Sequence, residues 1–227
     1  MFLTKHKKAV RAYLGRFRGA HYAINQIRYR RFKSVLKSAQ KNKQQINIVI
    51  GSSGTANKNW ISTEQSWLDI TNFESWSRHF VPGQIDRMLA EHVLEHLSQV
   101  ETINALKNIF LFLRPGGYIR VAVPDGNHPS CTYIEQVRPG GTGAGALDHK
   151  ILYTFTSLQE LFISQGFSVS KLEFFDNSKT FHMLKWVRED GMISRSYKHD
   201  ERNQGGINNY SSIILDAKKP SEGYLPK

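Results

Sequence analysis

The stretch Met88–Asp125, MLAEHVLEHLSQVETINALKNIFLFLRPGGYIRVAVPD, constrains the fold most tightly. The run Ile85–Ala90 that leads into it has the length of a buried strand. From Val100 to Leu113 the chain is apolar at helical spacing, with Val100, Ile103, Leu106, Ile109, Phe110 and Leu113 on one face. Pro115-Gly116-Gly117 stops that helix and turns the chain, and Tyr118–Val123 reads as a second strand. Strand, polar turn, helix, glycine turn and strand make a right-handed βαβ crossover, so the sheet contains parallel strands. Ligands of such sheets sit at the carboxyl ends of the strands. Two polar segments, Glu91–His96 and Asp125–His128, fall there.

At 227 residues the expectation is one domain with appendages. The single cysteine, Cys131, excludes an internal disulfide and a multi-cysteine metal site, and fits a reducing cytosol. No apolar run approaches the length of a membrane span, and the first residues lack the apolar core of a signal peptide. The expected location is therefore cytoplasmic, with a peripheral seat at the inner membrane surface left open by the charge distribution. Residues 1–63 hold 14 of the 31 basic residues and none of the 19 acidic ones. The remainder, with 17 basic and 19 acidic residues, is close to neutral.

Residues 1–43 read as a basic helical arm, with Val10, Tyr13, Leu14 and Phe17 on one face and Phe32, Val35 and Leu36 on another. Gly15 and Gly19 weaken its middle, which predicts two helices. Such an arm suits an anionic partner, either membrane headgroups, RNA or an acidic glycan, or packs as a solvated helical hairpin. Ile46–Ile50 is a β-rich run closed by Gly51-Ser52-Ser53-Gly54, a turn that lets backbone amides approach a ligand. Trp60–Thr63 is the next strand and ends at Glu64, where doubly wound folds grip a ribose through its hydroxyls. Asn72–Phe80 reads as a short helix. Gly126–Leu147, rich in Gly and Pro, reads as a long irregular loop. A helix capped by Thr156 and ended by Gly166 follows, then a strand at Phe167–Phe175, a polar insertion at 176–209 and a last strand at Tyr210–Ala217.

Together, AEHVLEHL, LRPGGYIRVAVPD and HKILYTFTSLQELFISQGF resemble class I S-adenosylmethionine (SAM)-dependent methyltransferases. Within that superfamily, DGNHPSCTYIEQVRPGG, KHDERN and YSSIILDAKKP are similar to predicted methyltransferases associated with bacterial surface-polysaccharide genes. The likeness spans about residues 46–220 and excludes the arm. It implies an α/β, Rossmann-like sandwich whose seven-stranded sheet has six parallel strands and one antiparallel, with helices on both faces. The antiparallel strand would be YSSIILDA, inserted beside FSVSKLEFF. The implied domains are the arm at 1–43, a methyltransferase domain at 44–220 with the 176–209 insertion on its substrate side, and a tail at 221–227. The implied cofactor is SAM, with Gly51 and Ser53 in the cofactor loop, Glu64 on the ribose, Asp69 near the adenine and His92 near the methionine moiety. Ser53 stands where the superfamily usually has glycine, and Glu64 where this group more often has Asp.

Methyl transfer to a hydroxyl needs an aligned acceptor and a base for its proton, a task suited to histidine. The candidates are His149 beside Asp148, His128 after Asp125, and His199; His149 is the first choice, because Asp148-His149 closes the loop expected to overhang the pocket. The other reading is that His149 anchors the following helix. Asp125, His199 and Arg202 are the expected contacts to the acceptor, Arg202 because a guanidinium grips carboxylates or phosphates in a fork. His92, Glu95 and His96, at i, i+3 and i+4, converge if their segment is helical. That spacing resembles the metal-binding stretch of small-RNA 2′-O-methyltransferases and of certain quinone-pathway O-methyltransferases, with His92 in place of a Glu. The preferred reading is support of the cofactor pocket without a metal. Trp60, Trp67, Trp76 and Trp186 offer a sugar platform or, more commonly for Trp, core packing.

The leading expectation is an O-methyltransferase acting on a sugar or surface glycan. The first alternative is an RNA methyltransferase that docks its substrate through the arm. The second is a non-catalytic binding protein on a methyltransferase fold.

Overall fold

A computed structural model describes residues 2–52 and 59–221 of the chain. It comprises two compact units, Met1–Gln44 and Gln45–Lys227. The first is a single helix, α1 (Phe2–Lys41), rather than the two helices the glycines predicted. Each glycine costs about 1 kcal/mol against alanine. The Ala, Leu, Lys, Arg and Gln that surround Gly15 and Gly19 are strong helix formers and outweigh that cost. The side chains of Val10, Tyr13, Leu14 and Phe17 lie outside the described ones, as do Ser53 and residues 222–227 of the tail.

The second unit is built on a seven-stranded sheet. Its strands are β1 (Asn47–Ile50), β2 (Ile61–Ser62), β3 (Ile85–Glu91), β4 (Leu113–Pro124), β5 (Ser168–Phe175), β6 (Phe181–Met183) and β7 (Ser212–Lys218). Their order is β2-β1-β3-β4-β7-β5-β6. β1 pairs in parallel with β2 and β3, and β3 pairs in parallel with β4. β7 is the antiparallel strand between β4 and β5, as expected from YSSIILDA. The short edge strand β6 folds back on β5, so the antiparallel region holds a second strand. β4 carries Ile119, Val121, Ala122 and Val123, all fully buried, as a central strand covered on both faces requires.

Among the described residues, four α-helices accompany the sheet: α2 (Phe73–Ser77), α3 (Gln99–Phe112), α4 (Cys131–Val137) and α5 (Phe155–Ser164). Ser98 and Glu101 form a reciprocal capping box that starts α3. The buried face of α3 is Thr102, Ala105, Leu106, Asn108, Ile109 and Phe112. Val100, expected on that face, is 70% exposed. α4 interrupts the segment expected to be irregular: Ser130 caps it, and Tyr133 and Val137, four residues apart, turn inward together. The cap of α5 is Thr154, not Thr156; its hydroxyl accepts from Ser157 N while Ser157 Oγ accepts from Thr154 N.

Three of the four tryptophans take packing roles. Trp76 is fully buried, stacks on Phe112 at 5.2 Å and donates from Nε1 to Ile70 O. Trp60 and Trp186 pack against the cluster of Val49, Leu89, Ala122, Leu172, Ile193 and Ile214. Arg120, only 2% exposed, sits opposite Asp216 across the β4–β7 pairing. Its Nε and Nη2 donate to both oxygens of Asp216 at 2.8 Å. Its Nη1 donates to Val187 O and Gly191 O, which ties the 176–209 insertion to the centre of the sheet.

Candidate functional site

A cavity of about 480 Å³ opens at the carboxyl ends of β1 and β3. Its wall includes Ile50, Gly51 and Ser52 after β1, and Glu91 and His92 at the end of β3. Because β7 runs antiparallel, its leading end lies at the same sheet edge, and Tyr210 joins the wall. The size falls within the ordinary range of small-molecule sites.

Local geometry explains why the chain opens here. Gly51 adopts φ +59°, which a side chain rarely tolerates, and a Cβ there would approach Val93 Cγ2 to 3.2 Å. The β1 turn thus brings bare backbone to the cavity. Ser52 Oγ donates to Glu64 Oε1 at 3.0 Å, so Glu64 at the tip of β2 is tied to a residue of the wall. His92 also has positive φ, +54°, a non-glycine conformation that costs of order 1–3 kcal/mol and persists only where its surroundings impose it. The imposing contacts are His92 N to Ala122 O at 2.8 Å and Nε2 with Ser212 Oγ at 2.9 Å.

His149 reaches the same wall through a backbone tie that sequence periodicity does not reveal. Lys150 N and Ile151 N both donate to Glu95 O, and Lys150 Nζ binds Glu101 at the start of α3. These bonds lay His149 against the Leu94–His96 turn, with the His149 and His96 rings edge to face at 4.7 Å. His149 Nδ1 lies 2.8 Å from Val137 O. A carbonyl only accepts, so Nδ1 carries a hydrogen, and in the neutral ring the lone pair is on Nε2. Asp148 does not partner His149: its carboxylate faces His96 Nδ1 at 3.4 Å and is 77% exposed. Within His92–His96 only Leu94–His96 is helical, as a single 3₁₀ turn, and the segment gathers Glu95 and His96 beside His149, with side-chain donor atoms within 4.8 Å of one another.

The remaining candidates divide sharply. Gly51, His92, His149 and Arg202 line the cavity. Asp69 is occupied in the turn before α2: its carboxylate accepts from Thr71 N and Thr71 Oγ1, and its own N–H donates to Ser75 Oγ. His199 is outside the wall, edge-on to Trp186 at 5.7 Å. Asp125 and His128, expected to face an acceptor, are buried struts beneath α4 and outside the wall. Asp125 accepts Phe175 N and Asn127 N, and its own N–H donates to Tyr133 Oη. His128 stacks on Tyr133 at 4.0 Å and accepts Ser130 N at Nδ1. Arg202 is held by Asp200 and lies over the Tyr210 ring. Arg195, which sequence reasoning missed, lines the cavity, and among the described residues no ion pair engages its guanidinium. It is placed by its N–H, which donates to Glu91 Oε1 104 residues away, a contact with no local signal.

The buried pair beneath α4 gives the molecule opposed pH responses. Burial pushes the Asp125 carboxyl up to about 6, and burial pushes the His128 imidazole down to about 4. The Asp125 contribution to stability is therefore full below about pH 4 and lost as pH rises through about 6. The His128 contribution is full above about pH 6.5 and lost as pH falls through about 4. Measured by urea unfolding between pH 4 and 7 with the parent as reference, His128→Phe should lose about 2–3 kcal/mol relative to the parent as pH rises, the His128 contribution removed. Asp125→Asn should show the opposite slope. Identical slopes in the two variants would refute the assignment.

No family model matches the chain, and no curated protein matches it. Similar solved structures include a SAM dependent methyltransferase from Archaeoglobus fulgidus, at 12% identity and TM-score 0.45, over 83% of this chain and 94% of that one. An S-adenosylmethionine dependent methyltransferase from Mesorhizobium loti matches at 8% identity and TM-score 0.47, over 76% of this chain and 90% of that one. An O-methyltransferase family protein from Burkholderia thailandensis matches at 13% identity and TM-score 0.43, over 84% of this chain and 48% of that one.

Proposed function

We propose that the chain is a SAM-dependent methyltransferase that methylates a hydroxyl of a sugar or surface glycan. The observation that carries this reading is the cavity itself. It lies at the carboxyl ends of β1 and β3, with the bare Gly51 backbone and the Ser52–Glu64 pair on one side and a polar wall on the other. Gly51 and Ser52 suit the close approach of a charged amino acid, and Glu64 suits ribose hydroxyls as acceptor. His92, stacked with Tyr210, closes that side. Bound there, the cofactor supplies a methyl group already activated on a sulfonium. The protein's task is then to align the acceptor and receive its proton.

His96 and His149, which line the cavity, are assigned to the acceptor hydroxyl, with His149 Nε2 as the group that receives its proton. Arg195 and Arg202 supply positive charge beside it, which suits an acidic or phosphorylated acceptor. Residues 1–43, with 13 basic and no acidic residues, are assigned to an anionic surface, either membrane headgroups or RNA. No helix among the described residues is long and apolar enough to cross a membrane.

The test is calorimetry of the full chain with SAM, followed by labelled methyl transfer into fractionated extract. The expected result is one SAM bound per chain and label in the glycan fraction. Absence of SAM binding would sink the reading. Label in RNA, with binding that weakens steeply with salt and is lost on removing residues 1–43, would replace the glycan with a nucleic acid.

A further inference from the structure

We infer that Arg195 is the specificity-determining residue of the cavity, and that its guanidinium anchors the acceptor by an oxyanion, a carboxylate or phosphate on the sugar. The inference rests on the methyltransferase reading for calling that ligand the acceptor, not for the anion subsite itself. It narrows the recognising charge of the wall to one residue and excludes a neutral sugar as the preferred acceptor.

The first support is the way the chain presents Arg195. Ile193 and Ser196 are fully buried, while Ser194 and Arg195 between them are exposed and line the cavity. Ser196 Oγ donates to Ile193 O at 3.0 Å and closes the turn beneath them. The Arg195 N–H donates to Glu91 Oε1 at 2.7 Å, and its carbonyl accepts from Ser212 Oγ at 2.8 Å. Glu91 is the last residue of β3 and Ser212 the first of β7, so both ties come from strand ends at the cavity. A side chain rooted on a backbone fixed in this way loses less entropy on binding than one on a free loop.

The second support is the open fork of its guanidinium. Among the described residues the Arg195 side chain makes no ion pair. Glu91 is the one acid among the residues lining the cavity, and its Oε1 meets the Arg195 N–H rather than the guanidinium. Arg202 differs. Its Nε and Nη2 donate to both oxygens of Asp200, whose side chain is only 6% exposed, and its guanidinium lies over the Tyr210 ring. That fork is already filled, whereas the fork of Arg195 is free for a carboxylate or phosphate, which guanidinium groups grip through two parallel bonds.

The third support is the setting. Burial pushes the Tyr210 phenol up, and the charges of Arg202 and Arg195 oppose that push. Arg195 therefore acts at the Tyr210 hydroxyl, which stays protonated and adds a donor in the same wall. His96 and His149 belong to that wall as well, so an acceptor held by its anion keeps its hydroxyls inside the cavity. The sulfonium of a bound cofactor adds positive charge there and favours an anion further.

The test is calorimetry of the full chain at low ionic strength with three probes: glucuronate, glucose 6-phosphate and glucose. Both anions should bind, and glucose should bind at least about tenfold more weakly. Tighter glucuronate assigns a carboxylate and tighter glucose 6-phosphate a phosphate; each supports the subsite. Arg195→Gln keeps both backbone ties and should weaken anion binding by at least about tenfold. Arg114→Gln removes the same charge at the opposite end of β4, where Arg114 pairs with Asp86, and should bind as the parent does. Melting curves establish that each variant folds. Absence of anion binding, glucose binding as tight as that of the anions, or unchanged binding in folded Arg195→Gln would overturn the proposal. An equal loss in Arg114→Gln would overturn it too, since the effect would then be one of net charge. SAM calorimetry on the same preparations separates the two readings. SAM bound without anion selectivity overturns the subsite alone, and anions bound through Arg195 without SAM binding overturn the methyltransferase reading alone.

Discussion

Arg120→Ala should lower the stability of the domain by about 3–5 kcal/mol, the usual cost of breaking a buried ion pair from one side. The guanidinium meets both oxygens of Asp216 and two carbonyls of the insertion, and packs 5.1 Å from the Trp186 ring. Alanine leaves the Asp216 carboxylate and both carbonyls without those donors, and opens a void between β4 and Trp186. Urea unfolding of the variant measures the loss. The double variant Arg120→Met, Asp216→Leu should recover part of it, since an apolar pair removes the stranded charge but not the stranded carbonyls. A loss below about 1 kcal/mol would mean that the pair contributes no more than an exposed one. Limited proteolysis should also cut Arg120→Ala sooner within residues 185–209, because Val187 and Gly191 lose their anchor.

Under the proposed function, His149→Ala should lower methyl transfer by about 10²–10⁴-fold while leaving SAM affinity within a few-fold. His149 lies across the cavity from Gly51 and Ser52 only in role; its own ties are to Val137 and the His96 ring. Losing the hydrogen bond costs stability of only about 1 kcal/mol, so a folded variant remains to be assayed. A group that acts on the acceptor in the transition state lowers kcat and kcat/KM together. A rise in KM with kcat unchanged would instead assign His149 to acceptor binding. Full activity in the variant would remove the cluster from the chemistry.

Much of the scaffold was legible in local sequence. The β3–α3–β4 crossover and the glycine turn after β1 depend on period, turn residues and strand length, which act over a few residues; the antiparallel β7 was expected only from the family resemblance. The failures have particular causes. Gly15 and Gly19 were outweighed by their neighbours in α1. Thr154 rather than Thr156 capped α5 because Ser157 completes its capping box. The segment after Asp125 formed α4 because Ser130 caps a turn whose Tyr133 hydroxyl bridges Asp125 N and Ser211 O.

The candidate site was legible only in part. Gly51, His92 and His149 could be named because strand ends and loop closures mark where a cavity forms. Their partners could not, since Asp148 is next to His149 in sequence yet faces His96. The same holds for Asp125 and His128, adjacent to a strand end but turned into the core by the Phe175 amide and the Tyr133 ring.

By itself, then, the sequence determined an α/β sheet with parallel strands, a ligand end, and a basic arm set apart from a near-neutral domain. Those properties follow from short-range periodicity and composition. Tertiary structure alone decided that Arg120 meets Asp216, that Glu91 places Arg195, and that Glu95, His96 and His149 gather into one cluster. Such partners are about 50 to 100 residues apart along the chain. Their meeting depends on strand order and on β7 entering the sheet reversed, which no local pattern encodes.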